Sequence, residues 1–289
     1  MHAAASPPSA GRHRALRAFL ANPAGVISVL FLLFVAGLSL AAPLLYPEDP
    51  LSMVARPLLW PGQNPAYPFG TDSLGRDVAA GIVWGGRVSL LVGIVAMLLG
   101  VAIGLAIGAT AGYFGGRVDQ VLVKIIEIFQ TPPSFVLLVV LVAVAQPSLT
   151  TVVLSIGGVT WPSTARLVRA EFRSLRSKDF VTAARSLGYG HGRIILREIL
   201  PNALPPLIVS SSVMVATAIL MESALSFLGL SDPNVVSWGS MIGAGREMLR
   251  TAWYLSAVPG LAIVATVLAL NALGDALNDA LNPRLSGPR

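Results

Sequence analysis

The sequence predicts an all-α protein that crosses a lipid bilayer several times. Three observations carry this. Charged residues are 12% of the 289-residue chain, against about 25% in soluble domains. Mean hydropathy is +0.73, and a water-facing surface needs far more polar cover than that leaves. The apolar residues, 54% of the chain, also gather into six runs long enough to cross ~30 Å of hydrocarbon as helices.

The expected architecture is therefore an all-α integral membrane protein with six transmembrane helices. The runs are Ala24–Leu45, Val88–Gly112, Val121–Ala145, Ser148–Leu167, Ala203–Leu230 and Trp253–Leu273. Arg12, Arg14 and Arg17 precede the first, as in a signal peptide. That run is longer than a signal core, however, and Pro43 follows Ala41-Ala42 where cleavage would fall, so it is read as a retained anchor. Only Gln146-Pro147 separates the third and fourth runs, which predicts a helical hairpin.

Charge then orients the chain. With both termini inside, fifteen Lys and Arg lie on the inner side and five (Arg56, Arg76, Arg87, Arg246 and Arg250) outside. This follows the positive-inside rule and predicts cytoplasmic N- and C-termini. The organisation reads as a tail over 1–23, a first helix over 24–45, an outer loop over 46–87, a five-helix core over 88–275 and a tail over 276–289. The outer loop is proline-rich and expected to be irregular.

Several chemistries are excluded. The chain has no cysteine, so disulfides, Cys-ligated zinc and thiol catalysis fall away. His2, His13 and His191 sit in polar stretches far apart, which argues against a histidine metal site or a Ser-His-Asp triad. The two lysines, Lys124 and Lys178, lie in no G-x-x-x-x-G-K-[ST] sequence, so no P-loop holds ATP. The Lys and Arg are dispersed between apolar runs, which reads as topology rather than nucleic-acid binding.

The inner loop 168–200 lacks proline and is strongly basic. Within it, Asp179–Gly188 reads as a short helix capped by Asp179 and stopped by Gly188. Ala183 and Ala184 would let another surface approach closely, with Phe180 and Leu187 as apolar contacts two turns apart. A second stretch, Arg193–Leu200, is expected to end at Pro201. Taken alone, these residues suit a partner dock and a basic helix on anionic lipid equally well.

These residues carry a resemblance. Ala183-Ala184, Gly188 and, twelve positions on, Leu200-Pro201 resemble the EAA loop of the membrane subunits of ATP-binding cassette importers. Thr182 stands where that pattern has glutamate, and Glu198 where it has isoleucine. Phe69–Asp77, Gly112–Gly116 with Asp119, Trp161-Pro162 with Ala165–Arg169, Leu225–Leu230, Ser237-Trp238-Gly239 and Asn271–Asp275 resemble the peptide branch of that family, in its order, over residues 69–284. The resemblance implies a type I (MetI-like) permease of a dipeptide or oligopeptide importer in a bacterial cytoplasmic membrane. It implies no cofactor in this chain, with ATP and Mg bound by two partner ATPase subunits. A homologous second permease and an external substrate-binding protein complete the set. Phe180, Ala183, Ala184, Arg185, Leu187, Gly188, Leu200 and Pro201 would then form the ATPase-coupling surface. The alternatives are a nickel or glutathione importer of the same branch, and, from another class, a stand-alone secondary transporter.

Two further features have two readings each. Glu222 lies far along the fifth run, where a carboxylate must be paired or face water; it either lines the cargo route or is a structural strut, and the family pattern favours the strut. Thr131-Pro132-Pro133 predicts a break in the third run, a feature of transport routes that membrane helices also tolerate without function. Gly104, Gly108 and Gly112 predict close helix packing. Lys124 and Glu127 are spaced for an ion pair. Trp238 is read as an interfacial anchor of a short helix.

Overall fold

The computed structural model describes residues 16–281; His2, His13, Arg12, Arg14 and most of both tails lie outside them. All regular structure among the described residues is helical, apart from one isolated bridge between Thr71 and Asp77. The helices are α1 (Pro23–Leu40), α2 (Val78–Phe114), α3 (Gly116–Gln130), α4 (Ser134–Ala145), α5 (Leu149–Leu175), α6 (Asp179–Ser186), α7 (Leu200–Phe227), α8 (Trp238–Gly245) and α9 (Tyr254–Leu281). A single turn, Ala42–Leu45, follows α1.

Four of these, α1, α2, α7 and α9, are long and apolar enough to span a membrane, and α3 with α4 would make a fifth as one bent pair. Helix α5 is about 40 Å long at 1.5 Å per residue, but its last ten residues carry Arg166, Arg169, Glu171 and Arg173, which dilute its apolar character. The boundaries move from those expected. Helix α2 begins ten residues early because Asp77, an N-cap, accepts the Ala79 N–H at 2.9 Å. Burial raises the Asp77 carboxyl above the usual carboxylate range, against the backbone N–H bonds that lower it.

Helices α2 and α5 pack along most of their length, and small residues set the spacing. A Cβ on Gly104 would lie 2.6 Å from that of Thr164, and one on Gly112 would lie 2.6 Å from the Arg169 carbonyl oxygen. The glycine spacing seen in the sequence thus serves packing within the chain. Val92, Ala96, Leu138, Ile156 and Leu225 fill the core between α2, α4, α5 and α7. Helices α9 and α1 close the other side of α7 and α2.

Trp238 corrects an expectation. It starts a short helix, as anticipated, but it is 2% exposed and packs inside the bundle, with Nε1 donating to the Ile82 carbonyl at 2.8 Å. A buried indole finds its partner in the protein instead of at the headgroups. The loop 46–77 has no long helix yet is ordered by its own polar groups. The Thr71 hydroxyl accepts the Leu59 N–H and donates to the Arg56 carbonyl, and the Tyr254 hydroxyl lies within 2.9 Å of the Leu59 and Thr71 carbonyls.

Candidate functional site

The eight-residue α6 sits at the basic end of the bundle, between α5 and α7. Lys178, not Asp179, occupies its N-cap position, and no side chain caps it; Asp179 is the first helical residue. There its charge still favours the positive end of the helix dipole. The C-terminus is closed by a Schellman motif. The Gly188 N–H donates to Arg185 O at 2.9 Å and the Tyr189 N–H to Ala184 O at 3.1 Å, with Gly188 at φ +78°. A Cβ there would meet nothing within 4 Å, so backbone conformation and not space calls for glycine.

The helix has two faces. Val181 and Ala184 are buried in a cluster with Ala109, Tyr113, Phe172, Ile194 and Ile199. Phe180, Ala183 and Leu187, spaced i, i+3, i+7, point away from it; Leu187 is 71% exposed. Neighbours in sequence, Ala183 and Ala184 stand about 100° apart around the helix, and Ala183 alone of the two is open to another surface. Arg185 is also exposed, its guanidinium 5.9 Å from the centre of the Tyr113 ring.

Pro201 does not end the preceding stretch. Residues His191–Phe227 run on as one helix with a π-helical segment at Ile194–Ile199. Proline lacks the N–H that would bond the Arg197 carbonyl, and the wider turn absorbs the mismatch, with Leu200 N–H bonded to Ile195 O. Leu200 packs against the buried cluster below α6, and Pro201 is exposed at the first turn of α7.

Two contacts at this end went unseen in the sequence reading. The Tyr113 hydroxyl lies 2.8 Å from Nδ1 of His191. Arg169 makes a two-pronged contact with Asp119, Nη2 to Oδ2 at 2.7 Å and Nε to Oδ1. Asp119 and Arg169 both belong to motifs noted above, but a pairing across fifty positions leaves no periodic trace in one sequence. Arg176 completes the junction by donating to the Tyr113 carbonyl at 3.0 Å.

The break at Thr131-Pro132-Pro133 bends α3 against α4 by 77°. The Thr131 hydroxyl donates back to Glu127 O at 2.9 Å, while Pro132 lines a cleft of about 570 Å³ between this break and the faces of α5 and α7. Lys124 pairs with Glu127 at 2.8 Å on the surface. Glu222 is elsewhere, near the far end of α7. It is 5% exposed, and its Oε1 accepts from Ser226 Oγ at 2.8 Å and Ser237 Oγ at 2.6 Å, tying α7 to the segment before α8. Among the described residues no group of three His, Asp or Glu is placed to hold a metal.

Comparison with known proteins bears on the family and the fold. Residues 100–287 match the family described as binding-protein-dependent transport system inner membrane component, and residues 12–66 match the N-terminal TM domain of oligopeptide transport permease C. The chain is 38% identical to the dipeptide transport system permease protein DppC of Haemophilus influenzae over 273 residues, 92% of each chain. It is 36% identical to the di/tripeptide transport system permease protein DppC of Pseudomonas aeruginosa, covering 93% of this chain and 91% of that one. It is 35% identical to the glutathione transport system permease protein GsiD of Pectobacterium atrosepticum, covering 93% and 90%. Among solved structures, the inward-facing MetNI methionine ABC transporter shares the fold, with a TM-score of 0.56 at 18% identity over 70% of this chain and 96% of that one.

Proposed function

Because the chain belongs to the binding-protein-dependent transport system inner membrane component family, we propose that it is a permease subunit of an ATP-driven importer of di- and oligopeptides. It is a multi-pass membrane protein, and the description of its family supports the inner membrane as its location. Peptide cargo is supported by the dipeptide and di/tripeptide permeases it resembles over nearly its whole length. The glutathione permease among its relatives makes glutathione, itself a peptide, the second reading.

In this reading the chain binds no nucleotide. Separate ATPase subunits hydrolyse ATP, a second permease completes the channel, and an external protein delivers the cargo. The observation that carries the coupling is the outward face of α6. Phe180, Ala183 and Leu187 form an exposed apolar row on a helix whose other face is locked into the bundle. A rigid helix held that way can pass a partner's displacement to α2, α5 and α7 as a rigid-body movement.

The test is reconstitution of the assembled importer in liposomes with ATP inside or outside. ATP-dependent accumulation of a labelled dipeptide, reduced by unlabelled dipeptide more than by glutathione, is the expected result. Uptake by this chain alone without ATP would place it among secondary transporters.

A further inference from the structure

We propose that the cleft under the break between α3 and α4 binds the terminal carboxylate of the cargo, with Arg166 as the residue that holds it. This rests on the peptide-importer reading and adds to it a recognition site inside the permease.

The cleft has room for a small peptide: about 570 Å³, within the ~300–1,000 Å³ usual for small-molecule sites. Gln130, Ser134, Thr160, Ser163, Arg166 and Thr217 supply its polar lining. One cation is among the lining residues, and no carboxylate is. Such a wall selects for negative charge.

Arg166 is free to serve. It is exposed and makes no ion pair or hydrogen bond among the described residues. Its neighbours along α5 are committed, Arg169 to Asp119 and Arg176 to the Tyr113 carbonyl. The nearby Glu127 is taken by Lys124. A planar guanidinium can grip a carboxylate with two parallel hydrogen bonds.

The break offers the complementary chemistry. Pro132 and Pro133 have no N–H, so the Ile128 and Phe129 carbonyls lack their usual helical donors. Phe129 lines the same cleft. Free carbonyls there can receive the ammonium end of a zwitterionic peptide, as unwound helices do for cations in other transporters.

The chain contains no cysteine, so Ser163→Cys introduces one reporter thiol at the cleft wall. In the complete importer in liposomes, modification of that thiol by a water-soluble thiol reagent is followed by the mass of this chain. Millimolar dialanine is expected to slow modification several-fold, and dialanine amide, which lacks the carboxylate, is not. Adding Arg166→Gln should remove the protection, and Arg166→Lys should keep part of it. Equal protection by the amide, or protection that survives Arg166→Gln, overturns the site. ATP-dependent dialanine uptake is measured in parallel liposomes holding the unsubstituted importer. Uptake without protection overturns this inference alone, whereas absence of both overturns the importer reading as well.

Discussion

The Tyr113 hydroxyl and the His191 Nδ1 lie 2.8 Å apart, joining the last turn of α2 to the start of the helix that follows α6. Helix α2 is 37 residues long and unbroken, about 55 Å at 1.5 Å per residue. Its first turn is held by Asp77 beside the outer loop, and its last by this contact and by Arg176. One helix therefore reaches from the proline-rich loop to the basic end. Tyr113→Phe removes the hydroxyl and about 1 kcal/mol of hydrogen bonding, and leaves the Arg176 bond in place. We expect the importer to assemble and hydrolyse ATP, with fewer peptides moved per ATP. An unchanged ratio of transport to hydrolysis would show that the contact transmits nothing.

Gly188 should be replaceable in a definite order. Its φ of +78° costs most side chains roughly 1 kcal/mol, and Asn least among them. Nothing lies within 4 Å of an added Cβ, so the first side-chain atom adds no clash within this chain. Asn should retain more uptake than Ala, and Val least, with membrane insertion normal in all three. Equal uptake by the Val variant would remove the Schellman turn from the coupling argument.

Arginine at positions 183 and 184 should fail in different ways. Ala184 is 5% exposed within an apolar cluster, and a charge buried there without a partner costs several kcal/mol. Ala184→Arg is expected to lower the yield of folded chain. Ala183 is exposed, so Ala183→Arg should insert normally and lose ATPase subunits in a detergent pull-down. Both variants accumulating to the same level would contradict the two-faced description of α6.

Glu222 is engaged through Oε1 by two hydroxyls. Glu222→Gln keeps an acceptor of the same shape, and uptake should stay close to the unsubstituted level. Glu222→Leu removes the acceptor to which both serine hydroxyls donate, at a cost of about 2 kcal/mol, and should lower the thermal unfolding temperature in detergent. A Gln variant that is stable but inactive would put the carboxylate's charge on the cargo route instead.

Gly104→Leu should separate α2 from α5. The new side chain would begin 2.6 Å from the Thr164 Cβ and 2.9 Å from the Trp161 carbonyl oxygen. Overpacking of this kind costs roughly 1–3 kcal/mol. The expected readout is loss of monodisperse protein on size exclusion.

The membrane class, the hairpin at Gln146-Pro147, the break at Thr131-Pro132-Pro133 and the short helix at 179–186 were all legible in the chain, because each depends on local chemistry. Apolar runs exclude water wherever they sit, proline lacks its N–H in any fold, and glycine alone takes a left-handed turn cheaply. The positions of Trp238, Ala184, Tyr113 and His191 depend on which helices become neighbours. An indole that suits a headgroup region equally suits a gap beside Ile82, and two adjacent alanines look alike until packing turns one inward. Arg169 and Asp119 meet across fifty residues only because α3 folds back against α5. Composition and local chemistry alone told which solvent surrounds this protein and that its third apolar run is broken, whereas the halt expected at Pro201 gave way to a π-helical turn that carries the helix through it. The tertiary structure decided which side chains are buried partners and which, like Phe180, Ala183, Leu187 and Arg166, are left free to meet another molecule, because that depends on distances no single stretch of chain encodes.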